Sequence, residues 1–473
     1  MSRRFTDPPC ASGHPPRRGR HGTRCSAWWP AAAVAVLTGF TLTGCAAAAD
    51  DTTDQIVVAI VSNPQMQDAM QLQDEFRKEH PGVDVKFVSL PENEARAKIT
   101  ASVATGGGEF DVVMISNYET PIWAENGWIE DLQPYIDRTE GYDDKDFIGS
   151  IRTALSKDGD MYSVPFYGES SFLVYNKELF EKAGVTMPEK PTWPQVAELA
   201  AKLDDPANGV SGICLRGLAG WGEVMAPLST VMNTYGGGWF DENWNPTLTS
   251  PETKEAVTEY VDLVRTHGQP GAATSGYGDC ITRYSQGNAA MWYDATAMVS
   301  AIEDPASSTV AHKNGYAPAP VMNTEAAGWL YSWSLAIPTT SEHKDAAWDF
   351  VSWVTDKEYI KTVGERFGWE RVPPGSRYST YEIPEYRKIS QAYAQPTLRA
   401  MDGASQKTSM THPVPYEGLQ FVAIPEFQDL GTRVGQQMSA AVAGQKSVDE
   451  ALEQSQEYAE DVADVYRNSS GGN

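Results

Sequence analysis

Between residues 54 and 115 the apolar residues fall into two alternating rhythms. Ile56-Val57-Val58-Ala59-Ile60-Val61 is an unbroken apolar run, the pattern of a strand buried on both faces. Asn63-Pro64 then opens a helix to about Glu79, with Met66, Ala69, Met70 and Phe76 on one side, and Pro81-Gly82 breaks it. Residues 83–88 predict a second strand, 92–104 a helix closed by Gly106-Gly107-Gly108, and 111–115 a third strand. This order predicts right-handed crossovers in a parallel sheet. Ligands of such sheets sit beyond the carboxyl ends of the strands. Those ends carry Ser62-Asn63 and Ser116-Asn117-Tyr118.

Residues 162–184 change the rhythm. An extended segment ending in Pro165 leads to Gly168-Glu169-Ser170-Ser171, read as a polar turn. An apolar strand at 172–175 and a short helix ending at Gly184 follow. We read the turn as the passage from one lobe to another, with Glu169 facing the cleft between them. Thr192 with Gln195 makes a capping box before Val196, Leu199, Ala200 and Leu203. Ser250-Pro251 opens a helix with Ala256, Val257, Tyr260, Val261 and Val264 on one face. Residues 212–244, rich in Gly and Trp, predict loops and short strands around a site. Residues 329–338 end in a buried strand, and Ala346, Ala347, Phe350, Val351 and Val354 mark the next helix. The Gly- and Pro-rich stretch 365–377 predicts a second hinge region. A charged amphipathic helix covers 448–466, and the tail 467–473 is expected to be disordered.

Length adds domains. A chain of 473 residues exceeds one compact core. Six arginines precede the 16-residue apolar run 27–42, short for a membrane span and right for an export signal. Leu42-Thr43-Gly44-Cys45 resembles the lipobox of bacterial lipoproteins, which makes 1–44 a signal peptide, Cys45 the lipidated residue and 45–53 a tether. Two acyl chains on Cys45 would hold the protein at a membrane surface. The formal net charge is −26. Removing 1–44 takes away six Arg and Asp7, so it becomes −31. Such acidity disfavours nucleic acid and anionic lipid as partners. Cys214 and Cys280 remain as a disulfide candidate for an exported chain.

The residues offer little for catalysis or metal binding. The five histidines after the leader are scattered. Gly168-Glu169-Ser170-Ser171-Phe172 lacks the second glycine of a nucleophile elbow. The glycine triplet lacks the Lys-Ser/Thr of a phosphate loop. Glu169, Glu223 and Asp294 could converge as the paired carboxylates of a glycoside hydrolase, so that reading stays open. Tryptophan beside polar groups stands out: Trp221 between Arg216 and Glu223, Trp292 beside Asp294, and Trp329 and Trp333 flanking Tyr331. Charged and amide groups bind vicinal hydroxyls, while flat rings cover C–H faces.

Residues 162–184 followed by Pro191-Thr-Trp193, the segment Gln286-Gly-Asn-Ala-Ala-Met291, and 333–338 with Asp345-Ala-Ala-Trp348 together resemble extracellular solute-binding proteins of bacterial ABC importers. The resemblance spans essentially 54–465. It implies an α/β fold of two lobes of the type II periplasmic-binding-protein kind, each a mostly parallel sheet flanked by helices and joined by a hinge. The expected lobes are 54–166 with 320–372, and 167–319 with 373–466. It implies no enzyme and no cofactor, but a monomer that passes ligand to membrane permease subunits. Residues 212–217 with 220–223, and 291–296, resemble the branch that binds sugar alcohols such as sorbitol and mannitol. A mono- or disaccharide, a polyamine, and an adhesion or sensor role remain open. Carried over residue by residue, the resemblance implies ligand contacts from Asn117, Tyr118, Glu169, Ser170, Arg216, Trp221, Glu223, Trp292, Asp294, Trp329, Tyr331 and Trp333, with Gln65 as a weaker candidate.

Overall fold

The computed structural model describes residues 54–470, so the expected leader 1–44, Cys45, the tether 45–53 and residues 471–473 lie outside the described part. Eight strands build two sheets: β1 (Asp54–Val61), β2 (Val83–Leu90), β3 (Val112–Ser116), β4 (Val164–Glu169), β5 (Ser171–Asn176), β6 (Met291–Ala295), β7 (Asn314–Pro318) and β8 (Tyr331–Ala336). The first sheet has the order β2-β1-β3-β8-β4 and the second β6-β5-β7. Helices cover the first sheet, which is why β1 could be apolar without alternation. Ile56, Val58, Ala59, Ile60 and Val61 are all buried. Phe350 of the helix Lys344–Val354 closes one face by edge-on contacts with Phe76 and Phe87.

The mostly parallel sheets expected for each lobe are corrected. In the first sheet β1 runs parallel to β2 and β3, but β8 is antiparallel to β3 and β4. In the second, β5 is antiparallel to both neighbours. Topology compels part of this. β4 carries the chain out of the first sheet and β8 brings it back, so the two cross the same boundary in opposite senses. Residues 211–214 restore a parallel neighbour to β6 through the bridges Ser211↔Ala289 and Cys214↔Trp292.

The polar turn at 168–171 is a second correction. Backbone pairing continues through Glu169 in β4 and resumes at Ser171 in β5, so only Ser170 separates the sheets. The passage is extended, and its polar residues are buried among partners from other segments. Ser170 N–H donates to Thr296 Oγ1 (3.1 Å), and Thr296 N–H donates back to the Ser170 carbonyl (2.8 Å). The stretch 365–377 lies against this passage. Gly168 N–H donates to the Pro374 carbonyl, and a Cβ on Gly168 would stand 2.4 Å from the Gly375 carbonyl oxygen. Only a residue without a side chain permits this approach.

Three further expectations shift. The helix from Pro64 is two helices, Pro64–Gln71 and Gln73–Glu79, joined at Leu72. Residues 212–244 contain a full helix, Met225–Tyr235, whose eleven residues are all buried. A helix buried all round shows no amphipathic stripe, so its period was invisible. The last helix runs Val448–Ser470, past the point where disorder was expected. Among the described residues no helix is long and apolar enough to cross a membrane.

Candidate functional site

Strand alternation builds one wall of a cleft between the sheets. Tyr167 and Glu169 stand two apart on β4, and Tyr331 and Trp333 two apart on β8. They face one another as the cross-strand pairs Glu169↔Tyr331 and Tyr167↔Trp333. Residues two apart share a face of a strand, so all four line the cleft, as does Trp329 two residues before Tyr331. The register slips between Trp333 and Ser334, opposite Pro165, which has no N–H to contribute. The cleft encloses about 390 Å³, within the range of small-molecule sites.

The opposite wall comes from the second sheet's surroundings: Arg216, Leu218, Gly222, Glu223 and the segment 276–279. The disulfide Cys214–Cys280, Cα atoms 5.8 Å apart, ties the segment bearing Arg216 to the helix Tyr277–Ser285. Arg216 is held by a bidentate pair with Asp294, Nε–Oδ2 2.8 Å and Nη2–Oδ1 2.5 Å, and donates to the Gly222 carbonyl at 2.7 Å. Tyr277 packs its ring 4.9 Å from the guanidinium and donates its N–H to Glu223 Oε2. Near the first sheet, Glu92 and Arg96 of the helix Glu92–Ala104 complete the lining with Asn63, whose amide donates to Tyr167 OH.

Electrostatics follow from burial. Glu169 is 7 % exposed, and among the described residues its carboxylate accepts no hydrogen bond. Burial pushes its pKa up to about 8, Arg216 pulls it back, and Asp294 and Glu92 raise it further. Burial likewise lifts Glu223 to about 7 against the pull of Arg216. A carboxyl whose pKa is raised by burial holds its proton more tightly than an exposed one, so low pH favours the arrangement that buries it. That advantage is complete below the usual pKa near 4.5 and is lost as pH rises through about 7 and 8. We therefore expect ligand-free protein to open progressively between pH 5 and 9, read as an increasing radius of gyration. Glu169→Gln should flatten the upper part of the curve, and a pH-independent radius would refute the assignment.

Two cleft-lining residues carry buried polar atoms with no protein partner among the described residues: Trp329 Nε1, a donor, and Gln420 Oε1, an acceptor. Each such atom costs about 1–3 kcal/mol unless something bonds to it. With the acidic side chains of Glu92, Glu169, Glu223 and Asp279 and the indoles of Trp329 and Trp333, the wall suits a small molecule rich in hydroxyls.

Of the twelve expected contacts, Glu169, Arg216, Glu223, Trp329, Tyr331 and Trp333 line this cleft. The other six stand elsewhere. Ser170 falls on the opposite face by strand alternation, its Oγ against Gly328. Asp294 and Trp292 lie behind Arg216: Asp294 also accepts from Trp292 Nε1 and its neighbour's N–H, and neither residue is exposed. Asn117 extends the sheet ladder, accepting from Ser332 N–H and donating to the Leu330 carbonyl. Tyr118 and Trp221 pack on each other, ring centroids 5.0 Å apart, and Tyr118 OH donates to the Ile424 carbonyl. Gln65 donates to Ser300 Oγ at 2.7 Å, while Gln67 lines the cleft.

Sequence reasoning missed Glu92, Arg96, Tyr167, Tyr277, Asp279 and Gln420. Tyr167 was within reach, two residues before Glu169. Glu92 and Arg96 have the i, i+4 spacing of an ordinary surface ion pair, yet Arg96 is buried. Gln420 sits in a connection without a motif, and no local signal marks it. Among the described residues no group of three or more His, Cys, Asp or Glu could hold a metal ion.

The family model of bacterial extracellular solute-binding proteins matches residues 62–361. A mannitol-binding protein of Pseudomonas aeruginosa is 42 % identical over 405 residues, 85 % of this chain and 92 % of that protein. The crystal structure of an ABC transporter solute-binding protein from Agrobacterium vitis S4 with bound D-mannitol superposes with a TM-score of 0.85. It is 45 % identical, covering 87 % of this chain and 99 % of that one. A ribitol complex of a solute-binding protein from Agrobacterium radiobacter K84, at 24 % identity and TM-score 0.75 over 86 % and 98 % of the two chains, shares the fold.

Proposed function

This chain belongs to the bacterial extracellular solute-binding proteins, and from that premise we propose that its cleft captures an acyclic sugar alcohol of the mannitol class for delivery to an ABC permease. One observation carries the ligand class. Trp329 and Gln420, each with a buried polar atom lacking a protein partner among the described residues, share a wall with four acidic side chains and the indole of Trp333. A flexible polyol presents a hydroxyl on every carbon, each able to donate and accept. The two relatives at 42 % and 45 % identity, one a mannitol-binding protein and one bearing D-mannitol, support the choice within that class. Arg216 and Arg96 in the wall disfavour a polyamine.

Calorimetric titration with hexitols, pentitols, monosaccharides, maltose and spermidine tests this. Heat with D-mannitol or a close hexitol is the expected result, and binding of spermidine or maltose alone would overturn it. Glu169→Ala should weaken hexitol binding by about 1–3 kcal/mol, since it removes an acceptor and strands the hydroxyl that faced it. Unchanged affinity would remove Glu169 from the site. We further propose that Cys45 is diacylated and anchors the protein at the outer face of the cell membrane. Palmitate labelling in the native host should mark the wild type and not Cys45→Ser. Equal labelling would refute it.

A further inference from the structure

Arg96 packs against two indoles from different lobes. Its Cζ lies 4.4 Å from the Trp333 ring centroid on β8 and 4.0 Å from that of Trp221. Trp333 belongs to the same sheet as the strands that Arg96's helix packs on. Trp221 belongs to the other lobe. Its segment is bridged to β6 at Cys214 and ion-paired to it through Arg216, and its ring packs edge-on against Phe427 at 5.9 Å. The edge of the guanidinium is already committed to the first lobe. Nε and Nη2 donate to Glu92 Oε1 at 3.0 and 2.9 Å, Nη1 to Glu119 Oε1 at 2.9 Å, and Nη2 to Tyr331 OH at 2.6 Å.

The backbone around Trp221 is shaped for this approach. Trp221 stands between Gly220 and Gly222. A Cβ on Gly222 would fall 2.2 Å from Glu92 Oε1 and 3.1 Å from Arg96 Nε, and one on Gly220 would fall 2.6 Å from Asn93 Oδ1. Asn93 Nδ2 donates to the Ala219 carbonyl at 3.0 Å, a bond between the lobes. Two glycines thus let the second lobe lay an indole on a cation of the first.

We propose that Arg96 is the positioning residue of closure: its second aromatic cap, Trp221, arrives only when the lobes meet, and this cation–indole stack holds the closed form. Trp221 does not line the cleft, so it acts on ligand through closure alone. Arg96 also fixes the cleft-lining Glu92 and Tyr331, which couples the clasp to the ligand wall. A contact made in one state only shifts the equilibrium toward that state and raises the affinity of any ligand that needs it.

The affinity arm of the test rests on the polyol reading, and the scattering arm does not. D-mannitol titration of the wild type, Trp221→Leu, Trp221→Phe, Arg96→Gln and the double variant R96Q/W221L gives the energies. Small-angle X-ray scattering of each protein without ligand gives the closed population. Trp221→Leu should weaken binding by about threefold to thirtyfold, the range for a desolvated cation–π contact, and Trp221→Phe should recover part of it. The two losses should be clearly less than additive in the double variant, because both changes remove the contact they share. A merely structural role would instead give additive losses. Ligand-free Trp221→Leu should scatter as a more open particle. Additive losses, or equal affinity and equal compaction in Trp221→Leu and wild type, would overturn the clasp. If the wild type binds no polyol the ligand reading fails, and scattering still decides: a more open variant upholds the clasp, equal compaction overturns it.

Discussion

Asp294→Ala should cost about 3–5 kcal/mol of folding stability and remove ligand binding, although Asp294 lines no part of the cleft. Its carboxylate is fully buried and serves Arg216 Nε and Nη2, Trp292 Nε1 and the Ala295 N–H. Alanine would leave the Arg216 guanidinium buried, with the Gly222 carbonyl and a Glu223 oxygen at 3.7 Å as its remaining polar partners among the described residues. An uncompensated buried charge carries that penalty. Asp294→Asn keeps the shape and some hydrogen bonds but loses the charge, so it should fall between. Chemical unfolding and calorimetry on the three proteins measure both effects. A wild-type unfolding midpoint in Asp294→Ala would sink the assignment of Asp294 as the support of Arg216. The expected loss exceeds that for Glu169→Ala because the change undoes the wall rather than one ligand contact.

The second large effect is expected from the disulfide. Cys214 and Cys280 are 66 residues apart in sequence, and in the chain-entropy model closing that loop stabilises by about 4 kcal/mol. The bond also joins the two segments that supply Arg216 and Tyr277 to the cleft. Replacing both cysteines with alanine should therefore lower the unfolding free energy by about that amount and weaken hexitol binding as well. A reductant should reproduce the effect in the wild type and do nothing to the double variant. If reductant leaves the wild type's unfolding unchanged, the bond does not form in solution.

The parts of the site that were legible share one property: chemistry and position lie together in the chain. Tyr331 and Trp333 alternate on one strand with Trp329 two residues ahead of it, and Glu169 sits where the chain changes sheets. The same alternation, applied to Glu169, names Tyr167 and rejects Ser170. Trp292 and Asp294 were misplaced for a different reason. A tryptophan beside a carboxylate reads the same whether it faces ligand or holds an arginine from behind. Which face of β6 meets the cleft depends on the lobe opposite, and nothing local to residues 291–295 records it. The all-buried helix Met225–Tyr235 lacks a stripe, so its neighbourhood read as loops.

By itself the sequence determined the strands Asp54–Val61, Val83–Leu90 and Val112–Ser116, the helix Glu92–Ala104 between the last two, and the strand that follows Ser170. These follow from apolar period and backbone chemistry, which act within a few residues. Tertiary structure alone decided the antiparallel pairing of the second sheet, the extended passage at 168–171 and the burial of Arg96 between Trp333 and Trp221. It also set Asp294 behind Arg216 and brought Gln420 to the cleft. Each of these depends on segments far apart in the chain meeting at a few ångströms, and burial and electrostatics take their values only after that meeting.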